Sequence, residues 1–567
     1  MTDATRALPG SSSRHGMVIC QPASASWWAA AAVLAIILVL PLFVVELPPV
    51  LDYPNHLARM KILAEGPANP IMSRIYAIDW GLIPNIAIDL IMPPMLKVMP
   101  LFTAGKIMLA VTVLLPVLGA VLFSRALFGH WSFWSLGCGL VAYNGITLLG
   151  FMNFQIGLGL ALVVAAGWIE FRDRAPVATV LGCALGAVLL FFLHVFAVLF
   201  LAVLLGSHEL MQLYDGWRSG KPVRPALVRS ATMLGCVFVL PVVFYAMSAL
   251  SGNAPEARWR SLGRKSYGLF LPFLNYRVNL DLGTGFLIGA GILFSWWRGW
   301  MRVPLSTVIA MVVLSVAYVL SPFSLKGASF VDLRMPAMMG FLLFAGMAPV
   351  AIPRRVAQVG GLGLGALFAV RMAVLVLVWI GSQADVARVR QAIAPVQPGS
   401  KVLLTISDWE DNPAYWRKGM ERSRRVTKLA STFIHLAALL TIERNAFWPL
   451  LFAEPAKQPI QARIPYQDLS IPEGWPPSYE LLDKERPDEV MDPDDLEEAP
   501  YLNRWDRKYD YVLILNAGGV PDLRQVAPTK LELINANDMA ALFRVRHPWT
   551  AQHSSREDLL SRTAGRS

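Results

Sequence analysis

The stretch "WWAAAAVLAIILVLPLFVVELPPVLDYPNHLARM", residues 27–60, joins a long apolar run to a short polar segment. A helix across the hydrocarbon core of a membrane needs about 20 mostly apolar residues, and the run at 27–47 supplies them. This run is too long for the core of a signal peptide and lacks a small-residue cleavage site, so it predicts a retained first span. Asp52, His56 and Arg59 follow at helical spacing, where the chain leaves the bilayer.

The composition of the whole chain indicates a polytopic membrane protein. Its 567 residues are 55% hydrophobic and only 16% charged, which is too apolar for a soluble globular protein of this size. The net charge of +11 is typical of cytoplasmic loops and of contact with anionic membrane lipids, so we expect no nucleic-acid partner. Walker loops, serine or cysteine nucleophile motifs and histidine-rich metal spacings are absent from the sequence, which disfavours a nucleotide donor.

Apolar runs recur as far as Gly381 and predict about eleven membrane spans. The predicted spans are 27–47, 105–124, 132–149, 155–171, 177–193, 195–210, 227–249, 282–298, 304–321, 335–352 and 357–380. With the basic leader in the cytoplasm, every inner loop carries arginine, as the positive-inside rule requires. An odd number of spans then places the rest of the chain outside, in the periplasm if this is an inner-membrane protein of a Gram-negative bacterium.

The domain organisation follows from these spans. We expect a cytoplasmic tail at 1–26, a helical membrane domain at 27–381 with a long first outer loop at 48–104, and a soluble α/β domain at 382–567. In that domain the patterns predict strands at 401–406, 509–517, 531–535 and 541–546, and an amphipathic helix at 431–445. The segment 473–500 is rich in proline and acid and is expected to be a long loop.

Cations on the outer side contradict the positive-inside bias and therefore suggest an anionic ligand at the membrane surface. The candidates lie in two outer loops and are Arg258, Arg260, Arg264, Lys265, Lys326 and Arg334. Aromatic residues interleave with the first four, which suits a ligand with an apolar tail and a phosphate. The alternative is that the arginines only snorkel to headgroups and the aromatic residues form an interfacial belt.

Polar residues near the outer face offer a second set of candidates. Asp52 precedes Tyr53 and Pro54, a pattern typical of a helix N-cap, and this role is compatible with chemistry at the same carboxylate. Three further residues are candidate substrate ligands or merely interfacial and turn-capping residues: His56, Asn153 and His194. Asp332 either supplies a distant second acid or pairs with the neighbouring Arg334.

Three motifs carry a family resemblance: "LDYPNHLAR" at 51–59, "YNGITLLGFMNFQIGLGLAL" at 143–162 and "VDLRMP" at 331–336. Together with the number of spans and the α/β tail, they make the chain resemble bacterial integral-membrane glycosyltransferases of the GT-C class, in particular uncharacterised members. The resemblance covers residues 27–381 in layout and the tail only in kind.

The resemblance implies transfer of a sugar from a polyprenyl-phosphate carrier to a saccharide, lipid or protein acceptor on the outer membrane face, usually with inversion. Asp52 would then accept the proton of the acceptor hydroxyl, and the cations would steady the departing phosphate. The chain departs from family members that carry two adjacent acids, because Tyr53 follows Asp52. This leaves the need for a divalent cation open, since such an ion requires several oxygen ligands.

Two other classes of function remain open from the sequence. A transporter or flippase of lipid-linked saccharide would use the cations to guide a phosphate, but it predicts polar residues through the middle of the spans, and these are scarce. A non-catalytic scaffold for envelope polysaccharide assembly would use the loop charges only to bind lipid. Substitution of Asp52 by Asn separates the readings, because it disables the enzyme and leaves the scaffold intact.

Overall fold

The computed structural model describes residues 24–252, 257–325, 328–350, 352–407, 424–426, 429–472, 474–483 and 500–546. Most of the chain before residue 394 is helical. Its helices, in chain order, are α1 Ala25–Val44, α2 Tyr53–Glu65, α3 Pro70–Ile75, α4 Ala87–Met95, α5 Leu101–Phe128, α6 Phe133–Leu136, α7 Gly145–Leu149, α8 Met152–Phe171, α9 Pro176–Leu193, α10 Val195–Arg218, α11 Val223–Met247, α12 Leu262–Gly268, α13 Val278–Trp297, α14 Leu305–Leu320, α15 Arg334–Ala345 and α16 Arg354–Ile393.

Every apolar run that the sequence marks as a span contains helix, although the helix in the run 335–352 ends at Ala345. Within the described residues, eight helices are long and apolar enough to cross a membrane: α1, α5, α8, α9, α10, α11, α13 and α16. The other three runs form shorter apolar helical segments, at 133–149, 305–320 and 334–345. The helical membrane domain is therefore confirmed, whereas the number of eleven crossings stays a prediction.

The run at 132–149 is broken by a buried asparagine. It consists of α6, a 3-10 helix at Gly137–Val141 and α7. The Asn144 side chain donates to the Val141 carbonyl at 2.9 Å and accepts from the Thr147 backbone N–H at 3.1 Å, which starts α7. Gln155 of α8 also donates to Asn144 Oδ1 at 3.0 Å. These bonds satisfy polar groups that would otherwise be costly inside the bundle.

Residues at the starts of α2, α8, α10 and α15 line one cavity, which places these helix starts at the same end of the bundle. α5 packs along α8, α8 along α9 and α10, and α14 along α15. The described parts of the loops 45–100, 248–277 and 321–333 lie at one end, and α16 delivers the C-terminal domain to that same end. We call this the domain-bearing end.

The C-terminal domain is built on a four-stranded mixed sheet. The strands of the chain are β1 Tyr76–Ile78, β2 Ala257–Arg258, β3 Met301–Arg302, β4 Ser324–Leu325, β5 Ala348–Pro349, β6 Val402–Ile406, β7 Arg425–Val426, β8 Ala430–Ser431, β9 Ile460–Ala462, β10 Tyr511–Leu515, β11 Leu531–Ala536 and β12 Ala540–Val545. The large sheet has the order β11-β12-β10-β6, with β6 parallel to β10 and the other pairs antiparallel. All four predicted strands and the α/β class are confirmed.

Two details of the predicted domain differ from the structure. The helix expected at 431–445 is shorter, with a 3-10 turn at Ile434–Ala438 followed by α17, Leu439–Arg444. α16 continues to Ile393, so the expected boundary at 381 lies within a helix rather than at its end. Of the predicted loop at 473–500, residues 473 and 484–499 lie outside the described residues.

The first loop and the C-terminal domain pack as one unit. β1 of the loop pairs with β9 of the domain. Asn55, fully buried in α2, donates to the Leu450 carbonyl at 2.8 Å and accepts from the Phe452 N–H at 2.8 Å. Arg424 makes a two-bond ion pair with Asp385 of α16, at 2.7 and 2.8 Å. The domain is thereby fixed over the start of α2.

Candidate active site

A cavity of about 300 Å³ lies at the domain-bearing end of the bundle. Its walls come from the start of α2, the α7–α8 turn, the α9–α10 turn, residues 325, 328–331 and 334, and the C-terminal domain. Most of the lining is apolar, and the charged or imidazole side chains that border it are Asp52, His56, Arg59, His194, Arg334, His435 and Lys457. Five of the sequence-predicted site residues, Asp52, His56, Asn153, His194 and Arg334, thus meet at one place.

Asp52 is held in position through its backbone. Its N–H donates to the Leu149 carbonyl at 3.1 Å, at the end of α7. The next residue, Gly150, has a φ of 97°, and a Cβ there would come within 2.8 Å of the Asp52 Cβ. Only glycine fits this close approach and this conformation. The turn between α7 and α8 therefore fixes the backbone of Asp52 and limits the directions that its side chain can take.

The structure corrects the expected capping role of Asp52. Asp52 does occupy the N-cap position of α2 and Pro54 lies in the first turn, but the carboxylate makes no capping hydrogen bond. Its backbone angles, φ −81° and ψ −10°, are already helical, which turns the side chain away from the first-turn N–H groups. The carboxylate instead borders the cavity.

His435 of the C-terminal domain faces this carboxylate. Its Nδ1 lies 3.1 Å from Asp52 Oδ1, and the two side chains are only 10% and 12% exposed. The distance suits an ion pair, whereas the alignment is not that of a formed hydrogen bond. The ring packs edge-on against Phe452 at 5.2 Å and Trp448 at 6.2 Å. The sequence gives no signal for this contact, because a single histidine in an apolar helix pattern resembles any core residue.

His56 lies one turn after Asp52 and is neutral in this setting. Burial lowers the pKa of His56 well below its usual range, and the nearby charge of Arg59 lowers it further. The ring packs against Phe452 at 5.5 Å, on the same phenyl group that contacts His435. His56 therefore borders the cavity as an uncharged imidazole.

Arg59 borders the cavity but has its charge matched. Its Nε and Nη2 donate to the two carboxylate oxygens of Asp89 at 2.6 and 3.1 Å. Arg59 and Asp89 are 2% and 1% exposed. This two-bond pair ties α2 to α4 and is a structural element of the first loop.

Arg334, one of the cations predicted to bind phosphate, borders the cavity. It stands at the start of α15, is 5% exposed, and places its guanidinium about 5 Å from two aromatic rings, at 5.1 Å from Phe151 and 5.0 Å from Phe196. Cation–π contacts of this kind fix an arginine side chain while its N–H groups still project toward an anion.

His194 joins α9 to α10 and stands beside Arg334. Its Nδ1 accepts from the Phe196 backbone N–H at 3.1 Å, so the neutral ring carries its proton on Nε2. Burial, followed by the charge of Arg334, lowers the pKa of His194 well below its usual range. His194 therefore offers the cavity a hydrogen-bond donor without a charge. It also caps α10, the ordinary role that the sequence left open.

Asn153 has a positioning role in the structure. Its Nδ2 donates to the Asn85 carbonyl at 2.7 Å and its Oδ1 accepts from the Ile88 N–H at 3.3 Å. Both side-chain groups thus hold the first loop to the start of α8. Asn153 borders the cavity through that loop contact.

The remaining predicted cations do not border the cavity in the described part of the chain. Lys265 donates its three N–H bonds to the carbonyls of Tyr318, Val319 and Ser321 at 2.9, 2.8 and 2.7 Å, which caps the end of α14. Arg260 lies 3.9 Å from the ring centre of Phe323. Arg258 and Arg264 are exposed, and Lys326 lies outside the described residues.

Asp332 does not form the expected pair with Arg334. It is fully buried, and neither of its carboxylate oxygens accepts a hydrogen bond from any described residue. Burial raises the pKa of Asp332, while the charges of Arg260 and Lys265 oppose the shift. The Arg334 guanidinium lies instead over the rings of Phe151 and Phe196. Asp332 is therefore buried and is not among the residues that line the cavity.

Besides His435, the C-terminal domain contributes five cavity residues that the sequence did not indicate: Phe452, Lys457, Gln458, Gly474 and Trp475. Trp475 is 47% exposed and presents an aromatic ring at the cavity wall. Among the described residues, no group of three or more His, Cys, Asp or Glu side chains could hold a metal ion. Asp52 is the only carboxylate among the described residues that line the cavity.

Comparisons with known proteins give structural matches. No family model and no curated protein matches the chain. Two of the solved structures that match are ArnT from Cupriavidus metallidurans, one bound to undecaprenyl phosphate and one in the apo state. Each is 12% identical, with 92% of this chain and 98% of the other chain covered, and the TM-scores are 0.49 and 0.48.

Proposed function

We propose that this protein is a membrane glycosyltransferase that moves a sugar from a polyprenyl-phosphate carrier to the hydroxyl of a saccharide, lipid or protein acceptor. The observation that carries the proposal is a mostly apolar cavity at one end of the bundle, bordered by the carboxylate of Asp52 and the guanidinium of Arg334. A base and a fixed cation in one cavity are the two groups that transfer from a sugar phosphate requires.

Asp52 is the proposed general base. The acceptor oxygen attacks the anomeric carbon while its proton passes to the carboxylate, and the bond from that carbon to the phosphate oxygen breaks with its electron pair. A double displacement would need a second carboxyl group close by. Asp52 is the only described carboxylate on the cavity wall, which supports a single displacement with inversion.

Arg334 is the proposed ligand of the departing phosphate. The phosphate gains negative charge as the bond breaks, and a cation already fixed at that place stabilises the transition state more than the ground state. The Nε2–H of His194 is a further donor to the same oxygens. The apolar walls suit the first isoprene units of the carrier.

We propose that the domain-bearing end faces the periplasm across a bacterial inner membrane. The opposite end of the bundle carries arginines in its turns and in the adjoining helix ends: Arg125, Arg172, Arg174, Arg218, Arg224, Arg229, Arg298, Arg302, Arg354 and Arg355. The positive-inside rule favours the cytoplasm for that end.

Transfer by the purified protein tests the proposal. The wild type would be incubated with a pool of polyprenyl-phosphate sugars and an acceptor extract, with mass spectrometry of free polyprenyl phosphate and glycosylated product. We expect transfer by the wild type and, in Arg334→Ala, a donor kcat/KM lowered about tenfold or more through both a raised KM and a lowered kcat, because charge-assisted contacts stabilise by about 1.5–3 kcal/mol.

Arg264→Ala is the matched control, because Arg264 is exposed and does not border the cavity among the described residues. It should keep the KM of the wild type. The proposal fails if the wild type transfers no sugar from any donor class. If Arg334→Ala and Arg264→Ala raise the donor KM equally, Arg334 is not the phosphate ligand.

A further inference from the structure

The C-terminal domain supplies a side chain to the cavity at the point where the proposed base lies. His435 belongs to the 3-10 turn Ile434–Ala438, and its Nδ1 is 3.1 Å from Asp52 Oδ1. Resting on the proposed function, we propose that His435 is a positioning residue that donates its Nδ1–H to Asp52 and aims the carboxylate at the acceptor hydroxyl. The C-terminal domain would thereby complete the catalytic site.

Both partners are fixed to the same rigid unit. Asn55, one turn into α2, bonds to the backbone of Leu450 and Phe452 in the domain at 2.8 Å each. Phe452 and Trp448 in turn hold the His435 ring on its edges. The 3-10 turn packs directly on α2. The distance between His435 and Asp52 is therefore set by buried contacts rather than by a mobile loop.

The chemistry of a carboxylate base favours such a partner. Asp52 makes no capping bond to α2, so no helix N–H fixes the plane of its carboxyl group. A donor on Oδ1 leaves the other oxygen for the acceptor proton and restricts rotation about the Cβ–Cγ bond. Catalytic hydrogen bonds in unliganded enzymes are often poorly aligned and tighten in the substrate complex, as expected for this 3.1 Å contact.

The proton balance of the step assigns different roles to the two residues. The proton of the acceptor hydroxyl passes to Asp52, and the electron pair of the broken C–O bond leaves with the phosphate. His435 keeps its own proton throughout. A donor N–H is therefore the only property of His435 that the step uses, and asparagine shares it.

Two substitutions of similar size separate this role from packing. His435→Leu fills the space between Phe452 and Trp448 without a donor, and His435→Asn keeps an N–H near the place of Nδ1. We expect His435→Leu to lower kcat about 10²-fold with donor KM close to the wild type, because misplacement of a catalytic group by about 1 Å has that cost. His435→Asn should recover most of the lost kcat.

His130→Leu is the control, because His130 is an exposed histidine at the opposite end of the bundle. It should match the wild type in kcat and melting temperature. If His435→Leu melts at a lower temperature than the wild type, the rates are compared below the melting temperature of every variant. The ratio of kcat in His435→Asn to kcat in His435→Leu then separates donation by an N–H from packing.

The outcomes distinguish the two proposals. A wild type without transfer overturns the proposed function and this inference with it. An active wild type with an equally active His435→Leu overturns only the role of His435. If the wild type transfers sugar but His435→Asn is no faster than His435→Leu, donation by an N–H of His435 is overturned and the proposed function stands.

Discussion

Asp52 and Asp89 lie in the same loop of the chain and end in opposite surroundings. Asp89 is 1% exposed and its two oxygens are bound by Arg59 at 2.6 and 3.1 Å. Asp52 borders the cavity, and the imidazole of His435 lies 3.1 Å from its carboxylate. A carboxylate whose charge is matched inside the protein holds the loop together. A carboxylate that faces open volume is available for a substrate.

The strongest test of this difference is Asp52→Asn. The amide has the shape of the carboxylate but cannot accept a proton, so we expect kcat to fall about 10²–10⁴-fold. Since Asp52 makes no capping bond, the free energy of unfolding should change by about 0.5 kcal/mol or less. Initial rates of transfer and thermal melting measure the two quantities on the same sample. A large drop in the melting temperature of Asp52→Asn would show that Asp52 stabilises the fold, which contradicts a purely catalytic role.

Asp89→Asn should show the reverse pattern. Removal of one partner leaves the Arg59 charge buried and unpaired, which costs about 3–5 kcal/mol of stability. Thermal melting in detergent or lipid discs gives the loss. The double variant Asp89→Asn with Arg59→Met, which removes both charges, should restore much of it. Asp89→Asn with an unchanged melting curve would show that the pair does not support the loop.

Lys265→Met extends the comparison from carboxylates to cations. Its ammonium group serves three carbonyls at the end of α14, so the variant should lose about 1–3 kcal/mol of stability. Donor KM should stay that of the wild type, in contrast to Arg334→Ala. Melting and donor titration measure both. A raised donor KM with unchanged melting would make Lys265 a phosphate ligand after all.

His56 gives the smallest expected effect, a dependence of stability on pH. Its pKa is lowered in the folded state, while an unfolded histidine binds a proton near pH 6.5. The unfolded state thus binds more protons below pH 6.5, so stability falls as the pH falls, by at most about 1.4 kcal/mol per pH unit. His56→Gln should flatten melting temperature against pH between about pH 6.5 and 5. An identical slope in the variant would contradict a neutral His56.

The fold was largely predictable because its signals are local. Apolar runs of about 20 residues mark helices that lie in a membrane, and short apolar runs between turn residues mark the strands of the sheet. The break in the run at 132–149 was not predictable. It depends on Asn144, whose side chain bonds to backbone groups on both sides and to Gln155 of another helix.

The site was predictable only in part, because its chemistry depends on partners distant in sequence. Asp52 stood out in the sequence as an acid at the exit of a span. Its partner His435 follows the whole membrane domain in the sequence, so no local pattern connects the two residues. Arg334 and Lys265 were equivalent as cations in outer loops. Only the folded chain places Lys265 at the end of α14 and Arg334 on the cavity wall.

The most direct test is a structure of the protein with a non-transferable phosphonate analogue of a polyprenyl-phosphate sugar. We expect the phosphonate beside Arg334 and the anomeric carbon facing Asp52 across the cavity, with the isoprene chain along the apolar wall. An analogue bound on the exposed surface around Arg258 and Arg264, and not in the cavity, would contradict the assignment of the active site.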